Sequence, residues 1–464
     1  MGSFNGVVTT SIYCRPGCGA HPDRANVRSF SLAAAAEVAG FRACLRCRPY
    51  RAQPSISCKA APELLCRAIR LIVAGVLDTG TEDDLGASLG VSARHLRRLF
   101  VEHLGLTPDQ LARSTRVHFA RRLLDDTDLT FADIAFAAGF GSVRQFNRAC
   151  HDVFRATPGE LRARRRVRDR LVADGGVALR LPFEPPFDWQ AMLGWMQSRR
   201  IAGIEDVSGG CYRRTVVIDG DPGVLELRPG GQDHLVLHAH LPHWRGLIHV
   251  VQRARDIFNL DADTGTADRD LGADPLTGPL IRDRPGIRPP GAWDPFEAGI
   301  EAIVGGETSQ AGTAEIIGRI VWRYGAPVAG LSAFGLSHTF PRPAALAEAN
   351  LGGLGLGPSS SRAVRAFARA VSEGLLKLGR ENRWRMFNGA VPGMSAEAAS
   401  CFALRLGEPD AFPCASPGLL RALARAEGHA VTPRQAEGIA ERWRPWRAHA
   451  TVQLWLSGSC LPQQ

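Results

Sequence analysis

Lysine is almost missing from this chain. Of 56 basic residues only Lys59 and Lys377 are lysines, which leaves 54 arginines. A catalytic lysine is therefore improbable, and so is Schiff-base chemistry. No run approaches the roughly 18 apolar residues of a membrane span. The first residues, MGSFNGVVTTSIYC, lack a basic segment followed by a long apolar one, so no secretory signal is expected. Cysteines number 11, an odd count that argues against a disulfide framework. With 45% hydrophobic and 22% charged residues the chain reads as globular, not disordered. At about 100–200 residues per domain, 464 residues make two to four domains. The net charge of +10 favours a polyanionic partner, nucleic acid first.

The organisation changes along the chain. Residues 1–53 are Cys-rich and turn-rich, and 60–165 carry helical periodicity. From about 176 the period becomes two. Val177–Leu181, Arg214–Ile218, Val224–Leu227 and His234–His240 read as strands. Residues 258–291, rich in Asp, Gly and Pro, read as a linker, and 294–455 are helical again. The expected domains are 1–53, 60–165, 176–256 and 257–464. His234, His238 and His240 share one strand face, which reads as solvated rather than metal-binding. The cysteines outside the first 50 residues read as small buried hydrophobes.

Cys14-x3-Cys18 and Cys44-x2-Cys47 are two close pairs separated by 25 residues (19 to 43), the spacing of a four-thiolate zinc site. So short a segment has too little core to fold unaided, and a metal can supply the missing stability. Spacing alone leaves structure and chemistry equally open. The flanking residues Thr9-Thr10-Ser11-Ile12-Tyr13-Cys14-Arg15-Pro16-Gly17-Cys18 and Gly40-Phe41-Arg42-Ala43-Cys44-Leu45-Arg46-Cys47 decide it. They resemble the methylphosphotriester-repair domain of the Ada family. The resemblance implies one Zn²⁺ on Cys14, Cys18, Cys44 and Cys47, with Cys14 as methyl acceptor. It makes Arg15, Arg42, Arg46 and Arg48 candidate phosphate contacts. Leu45 stands where the family often has a basic residue. Four thiolates on Zn²⁺ carry two net negative charges, and methylation leaves one. Beside a polyanion that change is a damage-to-affinity switch, weakened by salt.

Residues 84–100 and 131–148 each read as helix, glycine turn, helix. Ser92 is a natural N-cap for the second helix of the first unit. The segment from Ile134 through Gly139-Phe140, Phe146 and Thr157-Pro158 resembles the AraC-type double helix-turn-helix. The resemblance implies operator reading by Arg94 and His95 in the first unit, Arg144 and Gln145 in the second.

The segment Ala440-Glu441-Arg442-Trp443-Arg444-Pro445-Trp446-Arg447, with Pro285–Glu297 and Asp410-Ala411-Phe412-Pro413, resembles AlkA-type 3-methyladenine DNA glycosylases. The implied fold class is multidomain and mainly α: zinc module, double helix-turn-helix, small α+β lobe, then a helix-hairpin-helix glycosylase fold. Base excision needs a flipped base, an aromatic pocket and a carboxylate for the developing sugar charge. Here Ser416 aligns with the family's catalytic Asp. Ser395 replaces the hairpin's second Gly, Glu397 the pocket Trp, and Glu307 a wedge residue, while Trp455 persists. Asp410 is a weak substitute for the lost carboxylate. The glycosylase site is therefore expected to be inactive. The alternatives are an active 3-methyladenine DNA glycosylase fused to the regulator, or a zinc-stabilised transcription factor sensing another electrophile or metal. Expected partners are double-stranded DNA, both operator and alkylated, and RNA polymerase, with no membrane. The expected location is the cytoplasm, on the nucleoid.

Overall fold

The computed structural model describes residues 4–19, 22–51, 62–166, 169–173, 175–306, 308–376, 378 and 392–457. The chain divides into two compact units. The first is Met1–Phe183 with His243–Gln252, and the second is Glu184–Pro242 with Arg253–Gln464. Among the described residues no helix is long and apolar enough to cross a membrane.

The first unit opens with a small sheet. Its strands are β1 (Phe4–Val7), β2 (Ile12–Cys14), β3 (Val27–Phe30) and β4 (Arg42–Ala43), in the order β3-β1-β2-β4. β2 runs antiparallel to β1 and parallel to β4, with Asn5 opposite Cys14 and Tyr13 opposite Ala43. These strands are two to four residues long, too short for alternation to announce them. Leu32, Ala34 and Ala35 of this module share one buried cluster with Leu65, Ile69, Leu85, Leu96 and Phe100.

The helices that follow are punctuated by side-chain caps. Thr81 with Asp84, Thr107 with Gln110 and Thr157 with Glu160 form reciprocal capping boxes, the last two with Pro at the first helical position. Ser92 caps Ala93–Leu104 and Ser142 caps Val143–Phe154. In the first unit's turn Gly90 takes a left-handed φ of +74°, and a Cβ on Gly86 would lie 2.6 Å from the Val91 carbonyl. Only glycine permits that approach. The 19-residue helix Pro108–Asp126 joins the two helix-turn-helix units. Strand β5 (Val177–Pro182) also belongs to this unit.

The second unit carries four antiparallel strands, β6 (Glu205–Ser208), β7 (Cys211–Ile218), β8 (Asp221–Pro229) and β9 (His234–His240). They pair consecutively, with Thr215 opposite Val224 and Leu227 opposite Leu237. The region read as a linker is not one. It holds the helices Thr264–Leu271 and Thr277–Asp283, with Leu271 and Thr277 buried. Gly and Asp cap and pack there instead of loosening the chain: Asp263 caps the first helix, and Asp274 accepts from the backbone of Leu276 and Thr277. Helices Pro295–Gly305, Gln310–Tyr324, Pro358–Ser372 and Ala396–Arg405 surround a core of Phe296, Ile300, Ile317, Phe367 and Phe402. A second cluster gathers Phe412, Leu419, Trp443 and Leu454. Of the described cysteines expected to be buried, Cys150 is; Cys211, Cys401 and Cys414 are half-buried, and Cys66, buried in Glu63–Val73, is disulfide-bonded.

Candidate functional site: a four-cysteine centre, two reading helices and a substituted pocket

Cys14 ends β2, and Cys18 lies one turn beyond it, its N–H donating to the Arg15 carbonyl at 3.2 Å. Cys44 follows β4 directly, and its N–H donates to the Tyr13 carbonyl at 3.0 Å. The parallel β2–β4 pairing thus brings the two halves of the motif together. All four sulfurs lie within 4.8 Å of one another. Tetrahedral Zn–S bonds of about 2.3 Å place sulfurs about 3.8 Å apart, so this donor set fits one Zn²⁺. Among the described residues it is the sole His/Cys/Asp/Glu cluster of that kind. Burial and the neighbouring Cys44 push the Cys14 thiol up, and burial raises Cys47 to about 11. Burial works the same way on Cys44. The backbone N–H groups of Cys47 and Arg46 nevertheless hold it below its ordinary value. Four sulfurs this close together, those of Cys14 and Cys44 on buried residues, suit a cation.

The arginines around this centre divide. Arg15 is exposed and Arg42 half-buried. Arg46 is exposed, yet its guanidinium donates to the Gly19 carbonyl at 3.1 Å and braces the turn. Arg48 is not a phosphate contact: it is buried, 2.5 Å from Asp169 and 3.7 Å from Asp125.

Arg94, Arg144 and Gln145 are exposed on the first turns of Ala93–Leu104 and Val143–Phe154. The serine caps fix those turns, so the side chains project from a set backbone. His95 is half-buried and lies 3.1 Å from the Arg98 guanidinium. Gln145 Oε1 accepts from the Gly141 N–H at 3.1 Å, which leaves its amide N–H₂ as the donor a base edge would meet.

In the second unit the substituted residues converge. Ser395 caps Ala396–Arg405 by accepting from the Ala398 N–H at 3.2 Å. Gly393 is retained at φ +82°, where a Cβ would strike the Ala363 carbonyl at 2.4 Å. Ser416 precedes helix Pro417–Glu427 and makes no side-chain cap. Glu397 reaches across: the Ala415 N–H donates to its Oε2 at 3.0 Å. Its Oε1 is shielded from solvent without a hydrogen-bond partner among the described residues, and burial raises its pKa. Trp455 is half-buried beside Gly418, where a Cβ would lie 3.3 Å from its ring. The Arg199 guanidinium sits 5.8 Å from the Trp455 ring centre and 4.0 Å from that of Trp195. A cation of the protein itself therefore covers the aromatic surface. Burial, then repulsion from Arg405, lowers the Arg199 pKa to about 9. Asp410 is occupied, paired with Arg444 and bonded to Arg447 at 2.7 and 2.9 Å. Glu307 lies outside the described residues. His234 pairs with Asp233 at 2.7 Å, and His238 lies 3.0 Å from Arg228.

Comparison with known proteins follows the same division. Three family models match: the metal binding domain of Ada over residues 2–50, a helix-turn-helix domain over 85–164 and the AlkA N-terminal domain over 178–294. Fold and site together define a zinc-binding, DNA-binding activator of the DNA-repair response joined to a glycosylase fold. The chain belongs to the family of bifunctional transcriptional activator/DNA repair enzymes AlkA. It is 37% identical over 456 residues to the probable bifunctional transcriptional activator/DNA repair enzyme AlkA of Mycobacterium tuberculosis, covering 97% of this chain and 91% of that one. It is also 29% identical over 300 residues to DNA-3-methyladenine glycosylase 2 of Escherichia coli, covering 61% of this chain and 99% of that one. A 3-methyladenine DNA-glycosylase structure from Archaeoglobus fulgidus superposes with TM-score 0.52 at 21% identity, over 60% of this chain and 98% of that one, and shares the fold.

Proposed function

We propose that this protein accepts a methyl group from DNA methylphosphotriesters on Cys14 and then binds promoter DNA more tightly through residues 78–165. The four-sulfur cluster, with Cys14 at a strand end, carries this reading. A bound Zn²⁺ supplies the positive charge that keeps the sulfur deprotonated at neutral pH. Cys14, Cys18, Cys44 and Cys47 would hold that ion, and Cys14 Sγ attacks the methyl carbon. The S–C bond forms, the C–O bond breaks, and its electron pair stays on the phosphate oxygen as a diester anion. The thioether has no route back to the thiolate, so each chain reacts once. Arg15, Arg42 and Arg46 serve as phosphate contacts, and Arg94, His95, Arg144 and Gln145 as base readers. The working segments are 1–53, 60–165, 176–256 and 257–464, and RNA polymerase is the partner of the activated complex. Intact-mass measurement after incubation with a methylphosphotriester duplex tests this. One added methyl on Cys14 is expected, and an unchanged mass refutes the reading.

The AlkA-like half, in the same reading, binds DNA, damaged DNA or a partner without excising a base. Ser416 is neutral where charge must be stabilised, and Arg199 lies on the aromatic face that a flipped base would need. A second reading, an active 3-methyladenine glycosylase, draws support from one observation. Glu397 places a carboxylate against Ala415, next to Ser416. Base release abolished by Glu397→Gln would favour it, and no release from the unmodified protein excludes it.

A further inference from the structure

The face of the small sheet that carries Cys14 holds more than its sulfur. Paired residues of neighbouring strands project from the same face, and so do alternate residues of one strand. Asn5 is the register partner of both Cys14 and Ser29, and Ile12 is that of Arg42. Cys14, Asn5, Ser29 and Arg42 therefore share one face. The opposite face carries Phe4, Tyr13 and Ala43, all buried, with the Phe4 and Tyr13 rings edge to face at 5.7 Å. That side is taken up by packing, so the polar residues stand on the side of the reactive sulfur.

There they are uncommitted. Asn5 is half-buried and Ser29 exposed, and neither side chain makes a hydrogen bond among the described residues. The two lie in one row with Cys14 across three strands, Asn5 in the middle. Directly opposed side chains have their Cβ atoms about 4.5–5.5 Å apart. The Asn5 amide is thus within reach of a phosphate whose methyl group meets Cys14 Sγ. The cysteine spacing gives no hint of this residue, whereas the strand register singles it out.

The reaction defines what such a phosphate needs. Methyl transfer turns a neutral triester into a diester anion: the S–C bond forms, the C–O bond breaks, and the electron pair stays on phosphate oxygen with no proton moved. A donor aimed at the phosphate oxygens holds that developing charge better than it holds the neutral ester. The place favours a neutral donor. A carboxylate would repel the phosphate, and a cation would be drawn to the sulfurs. An amide N–H₂ offers two donors without either penalty. We infer that Asn5 is a catalytic residue of methyl transfer, its side-chain amide donating to the phosphoryl oxygen of the triester beside Cys14. This rests on the proposed methyl acceptance at Cys14.

The test compares two methyl donors on the full-length, zinc-loaded protein. One is a methylphosphotriester duplex, and the other is methyl iodide, which has no phosphate and loses iodide instead. Peptide mass mapping of Cys14 against time gives both rates, and zinc content is measured for every variant. Asn5→Ala should slow transfer from the triester by about tenfold or more. That is less than the 10²–10³ of a water-excluded donor, because Asn5 is half-buried. Its rate with methyl iodide should stay within about twofold of wild type, since the leaving group there needs no donor. Asn5→Asp, of the same shape, should slow the triester reaction further. Should Asn5→Ala lose zinc, Asn5→Asp decides by the same pair of rates. Equal losses with both donors, an unchanged triester rate, or zinc loss in both variants overturns the proposal. A wild-type protein that takes no methyl from the triester overturns the underlying reading, and the wild-type rates separate the two failures.

Discussion

The four-cysteine centre and the AlkA-like pocket are built from different kinds of interaction. In the first, backbone turns and a parallel strand pair deliver four sulfurs to one point. In the second, a glycine turn and an apolar core surround Ser395, Glu397 and Ser416, which the proposed reading takes to stand in place of the family's hairpin, pocket and catalytic residues. A fold is kept by many apolar contacts, each of modest worth. A catalytic site depends on single charges, each worth about 10²–10³ in rate. In the proposed reading, a few substitutions at such positions leave the packing intact and end base excision.

The largest expected effect is on the intact side. Cys18→Ala, Cys44→Ala or Cys47→Ala should lose zinc and the fold of the module, because structural zinc supplies about 10–16 kcal/mol to such small domains. Zinc content and proteolysis of residues 1–53 report it. Stoichiometric zinc in all three variants would remove the site from the comparison.

Next is the buried ion-pair network under the module. Asp125 is fully buried between Arg48, Arg51 and Arg121. Arg48 and Arg51 also pair with Asp169 and Asp126, so Asp125→Ala should cost about 3–5 kcal/mol chiefly by stranding the buried Arg121. Denaturant unfolding of the first unit measures it, and a loss below about 1 kcal/mol, as for an exposed pair, would contradict the burial argument.

On the altered side, Ser416→Asp should recover little base release. Glu397 already bonds to the loop that would carry the new carboxylate, and Arg199 still covers Trp455. Recovery to the rate of an ordinary glycosylase would mean that Ser416 alone separates the two regions.

The smallest effect is in DNA reading. Arg144→Ala should weaken specific binding by about 1–3 kcal/mol, more than nonspecific binding. Equal losses on operator and random DNA would reduce Arg144 to a phosphate contact.

Legibility in the sequence followed the range of the interactions. The zinc ligands, the Ser92 cap and the strand His234–His240 depend on residues a few positions apart, and they were readable. Strands β1 to β4 were not, because two to four residues carry no alternation. The helices within 264–283 were hidden by composition. Arg48 was misread because its partners Asp125 and Asp169 lie 77 and 121 positions away.

One duplex carrying both a methylphosphotriester and 7-methylguanine tests the contrast most directly. After incubation with the full chain, protein mass and free base are measured from the same tube. The account predicts one methyl on Cys14 and no released 7-methylguanine. Unmodified Cys14, or base released at the rate of an ordinary glycosylase, would contradict it.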